Sequence, residues 1–273
     1  IVVVGDDRQL PPTTFFESAI DVDEEYSESV TIDLESILGL CVSQGIPQKM
    51  LRWHYRSQHE SLITVSNYEF YDDKLVVFPS PIKDMKELGL VYHYLPDTEY
   101  GRGKSRSNIG EAKYVAQCVM DHAQNYPELT LGVAAFSMSQ MEAVRDQLEI
   151  LRRLDPSKEE FFHSHPEEPF FVKNLENVQG DERDVIYISV GYGRTSDGRI
   201  SMNFGPINKD GGERRLNVLI TRARKRCEVF TNLKADDIDL SRTKSRGVQV
   251  LKRFLNYADT GHLDIPLPTN GDA

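Results

Sequence analysis

Asn108 to Arg153 reads NIGEAKYVAQCVMDHAQNYPELTLGVAAFSMSQMEAVRDQLEILRR: two helical patterns flanking one short apolar run. Val115, Val119 and Ala123 recur at helical spacing from Asn108 to about Asn125. Asn108, with Glu111 three residues on, has the form of a capping box. Leu129 to Phe136 is almost wholly apolar, as a strand covered on both faces must be. Ser137 to Arg153 returns to the helical period, with Met141, Val144, Leu148 and Leu151 on one face. Outward from this unit, Leu90 to Leu95, Asp184 to Ser189 and Cys227 to Thr231 read as strands. Gly211 to Arg222 and Lys244 to Tyr257 read as helices. Alternation of this kind predicts an α/β fold with a mainly parallel, helix-covered sheet.

The amino-terminal part is less regular. Ile1 to Val4 reads as a buried strand from the middle of a sheet. A chain is not expected to begin inside its central sheet, so a longer parent protein is expected. Asp21 to Glu35 holds seven acids and no Lys or Arg, and its first half reads as an exposed loop. Helices are expected over Asp33 to Ser43 and Ser57 to Phe70, with a short strand at Pro47 to Leu51. Gly101 to Ser107 and Asp155 to Pro169 read as loops, the first of them flexible.

Across 273 residues the net charge is −11, which argues against a generally basic nucleic-acid-coating surface and requires any basic site to be local. Such a concentration exists: residues 194–226 hold nine Lys or Arg against three acids. No apolar run reaches membrane-spanning length, so no membrane partner is expected. Cys41, Cys118 and Cys227 have neither metal nor disulfide spacing, so a reducing cytoplasm is expected. His163 and His165 lie in an acidic, Pro-containing loop and read as solvated rather than as metal ligands.

Four stretches carry chemistry. In LNVLITRARKR (Leu216 to Arg226) an apolar run leads directly into cations. A guanidinium just beyond a packed backbone is held in place, as bidentate recognition of phosphate requires. In GDDRQLPPT (Gly5 to Thr13), the Gln9 amide could donate to a phosphate or orient a water, although a plain turn reads equally well. In LRWHYRS (Leu51 to Ser57), Tyr55 and Arg56 offer a stacking face beside a cation. The alternative has Tyr55 in a core and Arg56 paired with an acid. In NVQGDERDVIYIS (Asn177 to Ser189), Gly180 permits close backbone approach and Glu182 could hold a ribose hydroxyl.

In order and spacing these stretches resemble motifs III to VI of superfamily 1 helicases, the up-frameshift-like branch and its bacterial relatives in particular. GDDRQLPPT resembles motif III, LRWHYRS the "QYR" motif, VQGDERDVI the "FQGxExD" motif and LNVLITRAR the "NVALTRA" motif. AAFSMSQ (Ala134 to Gln140) resembles an element ending "PYxxQ". His54, Val178 and the pair Phe136-Ser137 depart from the usual Gln, aromatic and Pro-Tyr.

The resemblance implies a RecA-like three-layer P-loop NTPase fold, here the second motor domain, acting on ATP with Mg²⁺. Gln9 would sense the γ-phosphate, and Tyr55 would stack on adenine. Arg56 and Arg222 would be arginine fingers, and Gly180 and Glu182 would contact phosphate or ribose. Ser137, Gln140 and Ser189 would face single-stranded DNA or RNA. No GxxxxGKS/T occurs, so the phosphate loop and the Mg²⁺ ligands are expected in a first RecA-like domain. Residues 1–50 would be the tail of that domain with a linker, residues 51–262 the second domain, and residues 263–273 a loose tail. The spacing after Arg56 leaves no room for a large inserted domain, which leans toward 5′-to-3′ movement. The fragment would then be inactive alone. The competing reading is a non-catalytic nucleic-acid-binding or regulatory module.

Overall fold

Strand-forming segments whose every side chain is enclosed need cover on two sides, and the chain supplies it. The computed structural model describes residues 2–10, 36–80 and 88–264. Its sheet comprises β1 (Gly89–Tyr94), β2 (Leu131–Ala135), β3 (Phe171–Asn174), β4 (Arg183–Ser189) and β5 (Ala223–Thr231). The spatial order is β1-β5-β4-β2-β3, and each neighbouring pair is parallel. All carboxyl ends therefore lie along one edge of the sheet and all amino ends along the other.

The helices among the described residues are α1 (Ile37–Ser43), α2 (Thr64–Tyr71), α3 (Ile109–Asn125), α4 (Met138–Leu154), α5 (Gly212–Ile220) and α6 (Arg246–Thr260). Strand side chains alternate between two covering layers. Val185 and Tyr187 of β4 join Val115, Val119 and Val144 of α3 and α4. Ile186 and Ile188 join Leu216 and Leu219 of α5 and Leu251 and Leu255 of α6. The three layers of the expected α/β fold are thus helix, parallel sheet and helix.

Several expectations give way to the structure. Ile1 lies outside the described residues, and Val2 to Val4 form no strand; Val2 and Val4 are largely exposed. Their apolar sequence carries no partner strand with it, and pairing is what makes a strand. Pro47 to Leu51 likewise forms no strand. Ser57 to Phe70 divides into a 3-10 turn at Glu60–Leu62 and then α2, with His59 capping the turn through the Ser61 N–H. Asp33 to Glu35 and the acidic loop from Asp21 lie outside the described residues. Within α1, capped by Ser36, no residue is buried. Strand β3 was not legible, because Phe171–Asn174 is a short edge strand ending in polar residues. Residues Pro156–His163 form a 3-10 segment inside the expected loop, started by Asp155 accepting from the Ser157 N–H. Leu263, expected in a loose tail, packs against the core.

The layer of α5 and α6 depends on close backbone approach. A Cβ on Gly212 or on Gly247 would overlap the Ile207 carbonyl oxygen. Gly247→Ala is expected to destabilise the protein by about 2 kcal/mol, the scale of overpacking a tight interior. Urea unfolding midpoints of the two proteins check this.

Candidate functional site

The chain leaves α5 at Thr221 and enters β5 at Ala223. A helix end leaves carbonyls without intrahelical donors, and here Ile220, Thr221 and Arg222 are all buried. Side chains supply the donors. Thr221 Oγ1 donates to the Asn217 carbonyl at 2.8 Å, and Arg222 Nε donates to the Val218 carbonyl at 2.7 Å. An Arg56 Nη donates to the Thr221 carbonyl at 3.4 Å. Two guanidiniums therefore converge on the negative end of the α5 dipole. Only 4% of Arg222 is exposed. Burial first, and then the charge of Arg56, push its pKa down to about 10, which leaves it a cation at neutral pH.

Glu182 lies between the cations. One carboxylate oxygen meets Arg56 Nε at 2.8 Å, and the other lies 3.5 Å from Arg224. Arg224 is otherwise held by Glu168 through bonds of 2.6 and 2.5 Å and by Asp184 at 3.3 Å. These contacts raise its pKa, with the Glu168 bond contributing most. Arg224 is thus a structural cation that fastens β5 to β4 and to the segment before β3. Gly180 has φ +86°, and nothing lies within 4 Å of where a Cβ would be. The backbone requires glycine there and leaves open space above it.

The turn carrying Tyr55 and Arg56 is fastened by His54. Its Nε2 accepts from the Ser57 N–H at 3.1 Å and bonds the Ser57 hydroxyl at 2.8 Å. Burial, helped by the Arg56 charge, keeps the His54 pKa below the ordinary histidine value, which favours the neutral ring that can accept. The turn directs Arg56 inward and leaves Tyr55 93% exposed. The core alternative for Tyr55 is therefore excluded, whereas Arg56 does pair with an acid.

The segment 2–10 docks beside this cluster. Asn217 donates to the Arg8 carbonyl at 2.9 Å and Gln179 to the Leu10 carbonyl at 3.0 Å. Asp6 accepts from Gln9 Nε2 and from the Tyr71 hydroxyl, each at 2.7 Å. Burial and the Asp6 contact push the Tyr71 pKa up to about 12. Gln9 is thus tied to the elements that carry Arg222 and Gly180, with its amide turned back onto Asp6. Because residues 2–4 form no strand, Gln9 does not follow a strand's carboxyl end. In register Arg183 faces Ala223 at the start of both strands, so Gly180, Glu182 and Arg222 lie at the amino edge of the sheet.

Ser137, Gln140 and Ser189 lie at the opposite, carboxyl edge. Ser137 caps α4 by accepting from the Gln140 N–H and is half-buried at the rim. Gln140 and Ser189 are fully buried, so their side chains do not face outward as expected. Gln140 Nε2 donates to Ser189 Oγ at 3.0 Å and to the Asn108 carbonyl at 3.2 Å, and its Oε1 accepts from the Asn108 N–H at 2.7 Å. The Ser189 hydroxyl and the Gly191 N–H both donate to Glu111 Oε1, at 2.6 and 2.8 Å. The expected capping box is therefore half-formed. Asn108 accepts from the Glu111 N–H, but the Glu111 carboxyl turns inward. Asn217 and Glu111 are the residues that sequence reasoning missed. A polar residue inside the run LNVLI was the available signal for the first, and the capping-box reading hid the second. The expected solvation of the loop histidines is modified by specific contacts: His163 meets Glu159 and His165 the Pro127 carbonyl.

The AAA domain family matches residues 34–234 of this chain. Over 269 residues the chain is 32% identical to the uncharacterized ATP-dependent helicase MG140 of Mycoplasma genitalium, covering 94% of this chain and 23% of that protein. Over 254 residues it is 25% identical to helicase sen1 of Schizosaccharomyces pombe, covering 87% of this chain and 13% of that protein. The chain belongs to the superfamily 1 helicases of the up-frameshift-like branch. It spans about a quarter or less of the length of these curated relatives. The parallel sheet of this chain is the α/β architecture of a RecA-like P-loop NTPase domain. None of its described helices is long and apolar enough to cross a membrane.

Burial pushes the pKa of Glu111 up to about 8 against the bonds that favour its charge, and its Oε2 has no hydrogen-bond partner. A carboxyl whose folded pKa is raised contributes stability that is complete below its unfolded pKa. That contribution declines as pH rises toward about 8. Glu111→Gln should lose this decline, so its stability relative to the unsubstituted protein should increase from acidic pH to pH 8. Denaturant titrations across that range measure it.

Proposed function

We propose that the chain is the second motor domain of an ATP-dependent helicase or translocase acting on single-stranded DNA or RNA. The observation that carries this reading is the pair Arg56 and Arg222, held together at the carboxyl end of α5 with Glu182 beside them. Arginines bonded at a fixed helix end are pre-organised, and pre-organised charge stabilises phosphoryl transfer without reorganising during the step. Their surroundings fit a nucleoside triphosphate chemically. Tyr55 offers an exposed aromatic face for adenine, the turn at Gly180 leaves room above the backbone, and two cations suit phosphate oxygens.

In this reading Tyr55 binds the base, and Arg56 and Arg222 bind the phosphates. Gln9 reports on the terminal phosphate, and Glu182 either holds Arg56 until phosphate competes for it or reaches the ribose. Mg²⁺ would supply charge neutralisation between phosphate oxygens, held by acids of the first RecA-like domain together with its phosphate loop. Exposed Ile37, Leu40 and Ile46 support the assignment of residues 1–50 to that first domain, since exposed apolar side chains of this kind gain from a cover. Closure of the two domains around ATP would bring Arg222 to the phosphates. The same closure would shift the carboxyl edge along the strand.

In the full-length protein, Arg222→Ala is expected to lower strand-stimulated ATP turnover by about 10³-fold or more, with ATP affinity within about tenfold of the unsubstituted value. Near-normal turnover would remove the arginine-finger role. Salt-dependent strand binding without any turnover in the unsubstituted protein would instead assign a non-catalytic module.

Tyr55→Ala should raise the KM for ATP by about tenfold while kcat stays within a few-fold, because stacking on the base is the same in ground and transition states. Steady-state kinetics with a saturating single strand test the split. A fall in kcat with unchanged KM would reject the stacking role.

A further inference from the structure

The carboxyl edge carries a feature that none of the helicase motifs includes. Between the end of β1 and the start of α3 the chain reads GRGKSRS, Gly101 to Ser107. Sequence reading makes this a flexible stretch. The structure makes it a closed loop: the Gly101 N–H donates to the Ser107 carbonyl at 2.9 Å, and the Arg106 N–H donates to the Gly101 carbonyl at 3.0 Å. Arg106 has φ +54°, an uncommon conformation for a non-glycine residue. The base of the loop is anchored by buried Ser107 and Asn108, and Asn108 exchanges two bonds with buried Gln140.

Three cations, Arg102, Lys104 and Arg106, project from this loop and are exposed. Their side chains pair with no carboxylate among the described residues, although Asp97 and Glu99 precede them. Several other guanidiniums among the described residues are paired with acids, as Arg56, Arg152, Arg194, Arg224 and Arg246 are. In a protein of net charge −11, three exposed cations without counter-ions among the described residues concentrate positive potential on one folded loop.

Aromatic rings stand beside them. Arg102 and Arg106 act electrostatically on the Tyr100 phenol, which places both guanidiniums near it. The Tyr100 and Tyr192 rings lie 5.4 Å apart, both half-buried. Tyr192 lies in turn close to Ser137, the rim residue that caps α4. The Tyr100 N–H donates to the Arg194 carbonyl at 2.7 Å, which ties the loop to the chain leaving β4. Cations along a backbone path with aromatic faces next to them are the recognition chemistry of single-stranded nucleic acid.

We propose that Arg102, Lys104 and Arg106 bind the phosphate backbone of the single strand, with Tyr100 and Tyr192 as a stacking shelf running toward Ser137. The proposal rests on the nucleic-acid-motor reading above and deepens it. It moves the strand contact from Gln140 and Ser189, which are enclosed, to the loop that they buttress. Recognition of this kind is independent of base sequence.

Fluorescence anisotropy of a labelled single-stranded oligonucleotide, titrated with full-length protein from 50 to 200 mM salt, tests it. The variant Arg102→Gln/Lys104→Gln/Arg106→Asn keeps the loop able to form, since Asn tolerates the Arg106 backbone, and circular dichroism checks the fold. Each lost phosphate contact on a single strand should lower the slope of log K against log salt by about 0.7, so the triple variant should lose about 2 units of slope. Arg153→Gln, on α4 and paired with Glu149, should leave the slope unchanged. Unchanged affinity and slope in the triple variant, with the strand still bound and ATP still turned over, overturns the loop's role and leaves the motor reading standing. Absence of strand binding by the unsubstituted protein at 50 mM salt overturns both.

Discussion

At the carboxyl end of α5 several main-chain carbonyls need donors in a place where Ile220, Thr221 and Arg222 are all buried. The chain meets this demand with Thr221, Arg222 and Arg56, and much of the site follows from it. Burying a guanidinium is costly unless it is bonded and balanced. Val218 provides the bond, the helix dipole provides part of the balance, and Glu182 balances the neighbouring Arg56. The result is a pair of like charges kept close together by one helix end. Such a pair has unspent attraction for an anion.

Parallel strand pairing decides where everything else can stand. With every strand running the same way, residues just before β4 and β5 share one edge, and residues just after β2 and β4 share the other. Arg222, Glu182 and Gly180 belong to the first edge. Ser137, Ser189 and the loop from Gly101 to Ser107 belong to the second. The sheet between them is rigid and covered on both faces, so an event at one edge is carried to the other by movement of the whole domain rather than by local deformation. Under the proposed function, this arrangement would keep nucleotide chemistry and strand contact apart.

Buried polar groups organise both edges. At the amino edge Asn217 binds the Arg8 carbonyl and accepts from Ser66, which joins segment 2–10, α2 and α5. At the carboxyl edge Glu111, Gln140, Ser189 and Asn108 form one connected network. A low dielectric strengthens each of these bonds and penalises any that is missing. Positions of loops that would otherwise drift are therefore set from inside the protein.

Sequence periodicity determined the alternation of helices and strands from Asn108 onward, because side-chain spacing of 3.6 and 2 reflects which face is buried. Motif resemblance, rather than periodicity, led to the expectation that Arg56, Tyr55 and Arg222 serve a nucleotide, since guanidinium and phenol chemistry travels with the residue. Only the tertiary structure decided that Val2 to Val4 would not supply a strand, since pairing depends on a partner that local apolarity does not provide. It alone turned Glu111 from a helix cap into a buried carboxyl, and Gln140 and Ser189 from surface contacts into struts. Side-chain direction at a sheet edge depends on which distant segment arrives beside it, and that information is spread across the whole chain.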